Sequence, residues 1–166
     1  MKSLRDLYVE ELQDIYDAEQ QITRALPKMA EMATHPQLKQ AFQEHLEQTQ
    51  GQIQRLDQIF RQMGQQARGK GCKGMQGIIT EGQEQMQKGE RGDGMDAFLI
   101  AAAQKVEHYE IASYGTVKTW AKLLGEADAA KLLQQTEDEE GQTDKRLTRL
   151  AESMVNKEAM QGQRAA

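Results

Sequence analysis

Apolar residues recur at steps of three and four along most of this chain, a spacing that places them on one face of an α-helix. The pattern predicts four long helices, over residues 4–33, 36–63, 95–124 and 127–155. Pro27 lies inside the first of them, so we expect a kink or a local break near that position. The run Thr34-His35-Pro36 predicts a turn between the first two helices, and Gly125 predicts the end of the third.

The segment between the second and third predicted helices, residues 64–94, has a different composition. It holds nine of the 14 glycines, and it contains one short helical pattern, Met75–Met86. Two tight antiparallel pairs joined by a long connection predict an all-α four-helix bundle whose crossover runs the length of the bundle, as in ferritin-like proteins. We therefore expect one domain over residues 1–155 with its crossover at 64–94, and a polar, disordered tail at 156–166.

Composition and charge exclude several classes of protein. The net charge of −5 and the pI near 5.3, without a basic stripe, argue against a nucleic-acid partner. No run approaches the roughly 20 apolar residues that span a bilayer, and the N-terminal residues lack a secretory apolar region, so we expect no membrane insertion.

Cys72 is the single cysteine, which excludes an internal disulfide and favours the cytoplasm. Lys70 and Lys73 would lower the pKa of its thiol.

Two carboxylates, Glu110 and Glu140, fall inside the otherwise mostly apolar stripes of the third and fourth predicted helices. The neighbours of Glu110 on its stripe are apolar apart from Ser113, and Glu140 has Leu133 and Leu147 two turns away on either side. A buried, unpaired carboxylate costs several kcal/mol. A shifted pKa, a cationic partner or a bound metal is therefore expected at both positions.

These carboxylates share a level with polar residues of the first two helices. Glu19 and Gln52 lie about 16 residues from the first turn, and Glu110 and Glu140 lie 15 residues from Gly125, so antiparallel helices bring all four to mid-bundle. Converging carboxylates repel unless they are protonated or bridged by cations, and an oxygen-rich site of this kind suits iron or manganese. The candidate metal ligands are Glu19, Glu107, Glu110, Glu140 and Asp144, with Gln52 and His45 as lesser candidates; Tyr16, Tyr109 and Tyr114 lie close enough in sequence to hydrogen-bond a carboxylate.

An ordinary explanation stays open for the same residues. Glu19 can bond a tyrosine or Arg24, and Glu110 or Glu140 can pair with a cation at or near helical spacing, namely Lys105, Lys145 or Arg146. Polar core groups would then fix the register of the helices, and the protein would be a non-catalytic bundle that binds a partner or itself.

Four stretches resemble the YciE/YciF stress-protein family of the ferritin-like, rubrerythrin-type superfamily. They are residues 16–19, 45–49, 104–115 and 139–144, of which the run Glu107–Gly115 is the most specific. The resemblance extends from Leu4 to about Val155. It implies a ferritin-like four-helix fold, a homodimer, a cytoplasmic location and a role in bacterial stress. Residue by residue, Glu19, Glu107, Glu110 and Glu140 match the glutamate ligand positions of the ferritin-like pattern.

Three residues depart from the ligand pattern of that superfamily. Gln52 stands where the second helix has its glutamate, Arg55 stands where the histidine follows it, and Thr143 replaces the histidine of the last helix. A di-iron centre is usually built from two single glutamates and two Glu-x-x-His motifs, and this sequence contains no such motif. We therefore expect a mononuclear or atypical metal site. Peroxidase or oxidase activity of the rubrerythrin kind, with Tyr109 or Tyr16 as electron relays, is not expected in its standard form.

Overall fold

A computed structural model describes residues 1–162, which form helices and connecting turns. The elements are α1 (Leu4–Met32), α2 (Pro36–Gln62), α3 (Lys73–Lys88), α4 (Asp93–Leu123), α5 (Ala127–Leu150), a π-helical turn (Ala151–Val155) and α6 (Asn156–Gly162). The four long helices and the short crossover helix are as predicted, although α3 extends beyond the predicted Met75–Met86 at both ends. Within the described residues, no helix is both long and apolar enough to cross a membrane.

The long helices pack as two antiparallel pairs, α1 with α2 and α4 with α5. The pairs meet because α1 contacts α4 and α2 contacts α5, while α3 lies against α1 and α4 on the outside. The connection from α2 to α4 therefore crosses the bundle, and the fold is the ferritin-like four-helix bundle with its long crossover.

Local sequence signals explain where the helices begin and end. Ser3 and Asp6 form a capping box at the start of α1, and the ring of His35 caps α2 ahead of Pro36. Gly125 ends α4 with a φ of 77°, a left-handed conformation that glycine adopts without strain. Helix α1 runs without a break through Pro27, because packing on both sides of that residue outweighs the loss of one backbone donor.

The α1–α2 turn is tied to the start of α4 by one buried carboxylate. Asp96 is 2% exposed and accepts hydrogen bonds from the backbone nitrogens of Thr34 and His35, each at 2.8 Å. The bond with the Thr34 hydroxyl adds a third contact. Asp96 therefore sets the axial position of the first helix pair against α4.

The bundle core consists of two apolar clusters with a polar layer between them. One cluster contains Ile22, Leu26, Phe42, Leu99 and Leu147, and the other contains Tyr8, Leu12, Leu56, Phe60 and Leu133. The polar layer comprises Glu19, His45, Thr49, Gln52, Glu107, Glu110, Thr136 and Glu140, all of them buried. The prediction that Glu19, Gln52, Glu110 and Glu140 share one level of the bundle is confirmed.

The C-terminal segment differs from the predicted disordered tail over Asn156–Gly162, which is helical. The chain leaves α5 through the π-helical turn, and the buried side chain of Val155 holds it against the bundle. Helix α6 then packs along α4, so tertiary contacts outweigh its polar composition. The rest of the predicted tail, residues 163–166, lies outside the described residues.

Truncation of Leu99 to alanine should lower the free energy of unfolding by about 2–5 kcal/mol, because it leaves a cavity in the first apolar cluster. Leu123 lies on the same helix and is 72% exposed, so Leu123→Ala is a matched control that should cost less than about 0.5 kcal/mol. Urea unfolding followed by circular dichroism measures both. Equal losses in the two variants would contradict the assigned burial.

Candidate metal centre

Each long helix contributes to the polar layer at its centre. Glu19 comes from α1, His45 and Gln52 from α2, Glu107 and Glu110 from α4, and Glu140 from α5. The three-residue step on α4 and the seven-residue step on α2 keep each pair on one helix face. All six side chains are 3% exposed or less, so water does not solvate their charges.

His45 lies between two of the carboxylates. Its Nδ1 is 3.2 Å from Glu107 Oε1, and its Nε2 is 3.6 Å from Glu140 Oε2. One ligand atom each from His45, Glu110 and Glu140 lies within 4.8 Å of the others. Metal bonds to imidazole nitrogen or carboxylate oxygen are about 2.0–2.2 Å, so two atoms on one ion lie up to about 4.4 Å apart. Small side-chain movements would bring all three atoms onto one ion.

The layer contains nine buried polar atoms that have no hydrogen-bond partner within residues 1–162 when the glutamates are ionised. They are one oxygen of Glu19, the Nε2 of His45, the Oε1 of Gln52 and both carboxylate oxygens of Glu107, Glu110 and Glu140. Buried polar atoms are almost always paired, because leaving one without a partner costs on the order of 1–3 kcal/mol. Protons or a cation must therefore satisfy this group, and the donor set of carboxylates, imidazole and amide oxygen fits a divalent metal.

Neighbouring side chains hold two of the six residues in place. The Tyr114 hydroxyl donates to Glu19 Oε1 and leaves the other oxygen of that carboxylate free. Gln52 Nε2 donates to Glu139 Oε2 at 3.2 Å, and Arg55 holds Glu139 through bonds of 2.6 and 2.8 Å. The amide nitrogen of Gln52 is thereby engaged on the α5 side, and its oxygen remains available. No pattern in the sequence predicted this role of Glu139.

The buried carboxyl groups differ in their affinity for protons. Burial, followed by the charge of Glu140, raises the pKa of Glu19 to about 8. Burial and the neighbouring carboxylates raise the pKa of Glu107 and of Glu110 well above the ordinary value. Burial also acts to raise the pKa of Glu140, but the polar groups of Glu107 and His45 close to it outweigh burial and lower that pKa. The cluster as a whole therefore holds protons more tightly than ordinary carboxyl groups do, and an incoming cation would displace them.

Asp144 is placed apart from the other predicted ligands. Its side chain is 18% exposed, accepts a hydrogen bond from Gln104 at 3.1 Å and lies 3.2 Å from Nε2 of the exposed His108. It is not among the ligand atoms that converge on His45. Asp144 contributes negative charge at the edge of the polar layer, where it helps to raise the pKa of Glu107.

The ion pairs that would have neutralised the carboxylates are not formed. Lys105 lies 3.8 Å from Glu81, and Arg146 pairs with Glu44, so both face away from the layer. The expectation that either of them pairs with Glu110 or Glu140 is wrong. The expectation of a tyrosine partner for Glu19 is confirmed by Tyr114.

Tyr109 and Cys72 lie where the start of the crossover helix α3 contacts the bundle, outside the polar layer. The Tyr109 hydroxyl donates to Asp14 at 2.9 Å and lies 3.0 Å from Cys72 Sγ, which itself caps α3. The expected lowering of the Cys72 pKa is wrong, because burial and then Asp14 raise it. Tyr16 packs edge-on against Phe60 with ring centroids 6.0 Å apart.

A polar opening between α2 and α5 leads from the surface to His45. It has a volume of about 200 Å³, and Glu44, Gln48, Thr143 and Arg146 line its mouth. Thr143, the residue that replaces the expected histidine, donates to Gln48 Oε1 at 3.2 Å there. The small threonine therefore leaves room for solvent beside the layer.

Comparison with known proteins gives the family. Residues 3–160 match the family described as "Domain of unknown function (DUF892)". This chain belongs to the DUF892 family. Protein YciF of Escherichia coli (strain K12) is 49% identical over 160 residues, which are 96% of each chain, in agreement with the resemblance to the YciE/YciF family.

Three solved structures show the same bundle. The crystal structure of the E. coli stress protein YciF matches with a TM-score of 0.90 and 49% identity over 95% of this chain and 99% of that one. YcfI of Rhodopseudomonas palustris matches with a TM-score of 0.86 and 45% identity, over 89% of this chain and 94% of that one. A Xanthomonas campestris protein at 21% identity and a TM-score of 0.76, covering 97% and 99%, shares the fold.

Stability of the metal-free protein should fall as the pH rises from 5 to 8. A carboxyl whose pKa is higher in the folded chain than in the unfolded chain binds its proton more tightly when folded. Its contribution is fully present below the unfolded value of 4.5 and is lost as the pH rises through the folded value, about 8 for Glu19. Glu110→Gln removes one such group, so it should raise the free energy of unfolding at pH 8 and raise it much less at pH 5, which is close to the unfolded value of 4.5.

Urea unfolding in chelator at pH 5, 6, 7 and 8 measures this dependence. Asp138→Asn, which neutralises an exposed carboxylate of α5, is the control and should leave the profile unchanged. Glu140→Gln should give no gain, because Glu140 is the group that is stabilised in its ionised form. A flat profile, or a Glu110→Gln variant that is less stable at pH 8, would show that the carboxyl groups do not repel one another.

Proposed function

We propose that this protein binds a divalent metal ion, iron or manganese, in the polar layer. The convergence of His45, Glu110 and Glu140 supports this proposal, since their buried ligand atoms lack hydrogen-bond partners and lie within 4.8 Å of one another. These three residues would be the primary ligands. Glu19 and Glu107 would supply further carboxylate oxygens, and Gln52 a neutral one.

The ligand set supports one ion more readily than a standard di-iron pair. A di-iron bundle takes two histidines, each three residues after a glutamate. In this protein one histidine serves the layer, and it lies seven residues before Gln52 on α2. Asp144, which would assist a second ion, is turned to Gln104 and His108 at the edge.

The chain's own residues would control charge and protons at the metal. Tyr114 holds one oxygen of Glu19, and the Arg55–Glu139 pair holds the amide of Gln52, so both ligands would be oriented before the ion arrives. Protons leaving Glu107 and Glu110 would compensate the incoming charge. A bound iron would supply redox chemistry, and the apolar clusters on either side would keep bulk water away.

The cellular role that we propose follows the relatives. The E. coli relative YciF, whose crystal structure is known, is described as a stress protein. It is 49% identical to this protein over nearly the full chain. We infer a bacterial stress-response role for this protein, in the cytoplasm and as a homodimer. The polar opening beside His45 would admit the hydrated ion.

A second candidate function is a non-catalytic interaction bundle with a structural polar core. The bonds Tyr114–Glu19 and Gln52–Glu139 join α4 to α1 and α2 to α5, as a register device would. This candidate requires that the carboxyl groups remain protonated and that no metal binds at physiological concentration.

Elemental analysis separates the two functions. Protein incubated anaerobically with iron(II), and separately with manganese(II) or zinc(II), then desalted, should retain at least one ion per chain. His45→Gln and Glu110→Gln should each weaken metal affinity by at least about tenfold, since even residues behind the ligands contribute that much. Asp138→Asn, the exposed carboxylate on α5, should bind as the native protein does.

Thermal unfolding tests the proposed metal binding independently of elemental analysis. Metal at 100 times its dissociation constant stabilises the folded state by about 2.7 kcal/mol, which should appear as a raised Tm in the native protein and not in Glu110→Gln. No retained metal and no shift in Tm, in a folded protein, would leave the structural core as the function.

Light scattering tests the proposed homodimer. The mass in solution should be twice the 18.8 kDa of one chain. A mass of one chain at micromolar concentration would contradict the dimer, and a mass of many chains would indicate a shell. The result does not depend on metal binding, because each bundle contains a complete polar layer.

A further inference from the structure

A second route leads to the polar layer, on the side away from the polar opening. It is an apolar pocket beneath the crossover helix, between α1, α3 and α4. Ile78, Ile79 and Met86 of α3 form its outer wall, and His45 and Glu107 form its inner end. His45 is the one residue that lines both the pocket and the polar opening.

The pocket exists because small residues face α3 at this level. Ala25 of α1 and Ala102 and Ala103 of α4 line it, where larger side chains would fill the space. Gly82 on α3 continues this series, since a Cβ placed there would lie 3.9 Å from Ala102 Cβ. Each of these residues leaves volume that the neighbouring leucines and isoleucines of the core do not occupy.

The size and lining of the pocket limit what can enter. Its volume is about 30 Å³, and a cavity needs on the order of 10–15 Å³ to hold one water-sized molecule. Side chains along its length are almost all aliphatic or aromatic, and they offer water few hydrogen bonds. Apolar cavities of this kind stay dry and take up uncharged molecules.

The inner end of the pocket provides the second observation. Glu107 is fully buried and lines the pocket, and neither of its carboxyl oxygens has a hydrogen-bond partner within residues 1–162, although His45 Nδ1 lies 3.2 Å from Oε1. Beside it, the Nε2 of His45 is also unpartnered. A molecule at the inner end would therefore contact the atoms that face the candidate metal.

We propose that this pocket binds a small uncharged, apolar molecule of no more than about three heavy atoms and delivers it to the His45–Glu107 side of the polar layer. The bound molecule approaches from beneath α3, while ions and protons approach between α2 and α5. Occupancy of the pocket needs no metal. The contact with a metal rests on the proposed function.

Xenon tests the pocket directly, because it is uncharged, apolar and visible by anomalous scattering. Metal-free crystals of the native protein under xenon pressure should show a peak between Ala102 and Ile79. Ala102→Leu adds a side chain inside the pocket and should abolish the peak. Ala101→Leu adds the same volume at the neighbouring exposed position and should retain it.

Ala25→Leu fills the pocket from α1 and replaces Ala102→Leu if that variant does not fold. Ordered water in the native pocket, with no xenon, would overturn the proposal, as would a xenon peak unaffected by either filling variant. Metal content is measured on the same proteins. A xenon peak in a protein that retains no metal would refute the proposed metal binding and leave the pocket proposal standing. Retained metal without a xenon peak would refute the pocket proposal and leave metal binding standing.

Discussion

The repulsion among four buried carboxyl groups is the constraint on which the rest of this structure depends. Glu19, Glu107, Glu110 and Glu140 meet at the centre of the bundle with no lysine or arginine paired to them among the described residues. Since they cannot all be ionised without compensation, the protein must hold protons or a cation there. The apolar clusters above and below supply the stability that allows such a layer to persist.

The bundle keeps these groups together by tying helices at their ends and beside the layer. Asp96 joins the α1–α2 turn to α4, and Arg55 with Glu139 joins α2 to α5. Neither contact lies among the atoms that face the candidate metal. Residues outside the layer therefore position the helices, and the oxygen and nitrogen atoms within it keep their lone pairs available.

Helical periodicity predicted most of the layer, because it gives both the face and the level of a residue on its helix. Glu19, Glu110 and Glu140 were identified in this way, and antiparallel pairing placed them together. Periodicity does not say which helix lies beside a flanking residue. Tyr109 adjoins Glu110 in sequence but meets α3, and Asp144 follows Glu140 by one turn but reaches the edge. The bond of Gln52 to Glu139 likewise depends on the proximity of α2 and α5, which no local pattern contains.

The crossover helix has a consequence for how this fold can diversify. Met75 is its one buried residue, its N-terminal connection contains Gly71 at a φ of 83°, and it supplies no atom to the polar layer. Substitutions on its inner face would therefore change the shape of the wall beside the layer and leave the ligands untouched. Selection could therefore change the wall of the pocket without changing the polar layer, so related bundles can share one polar centre and differ in the molecules that reach it.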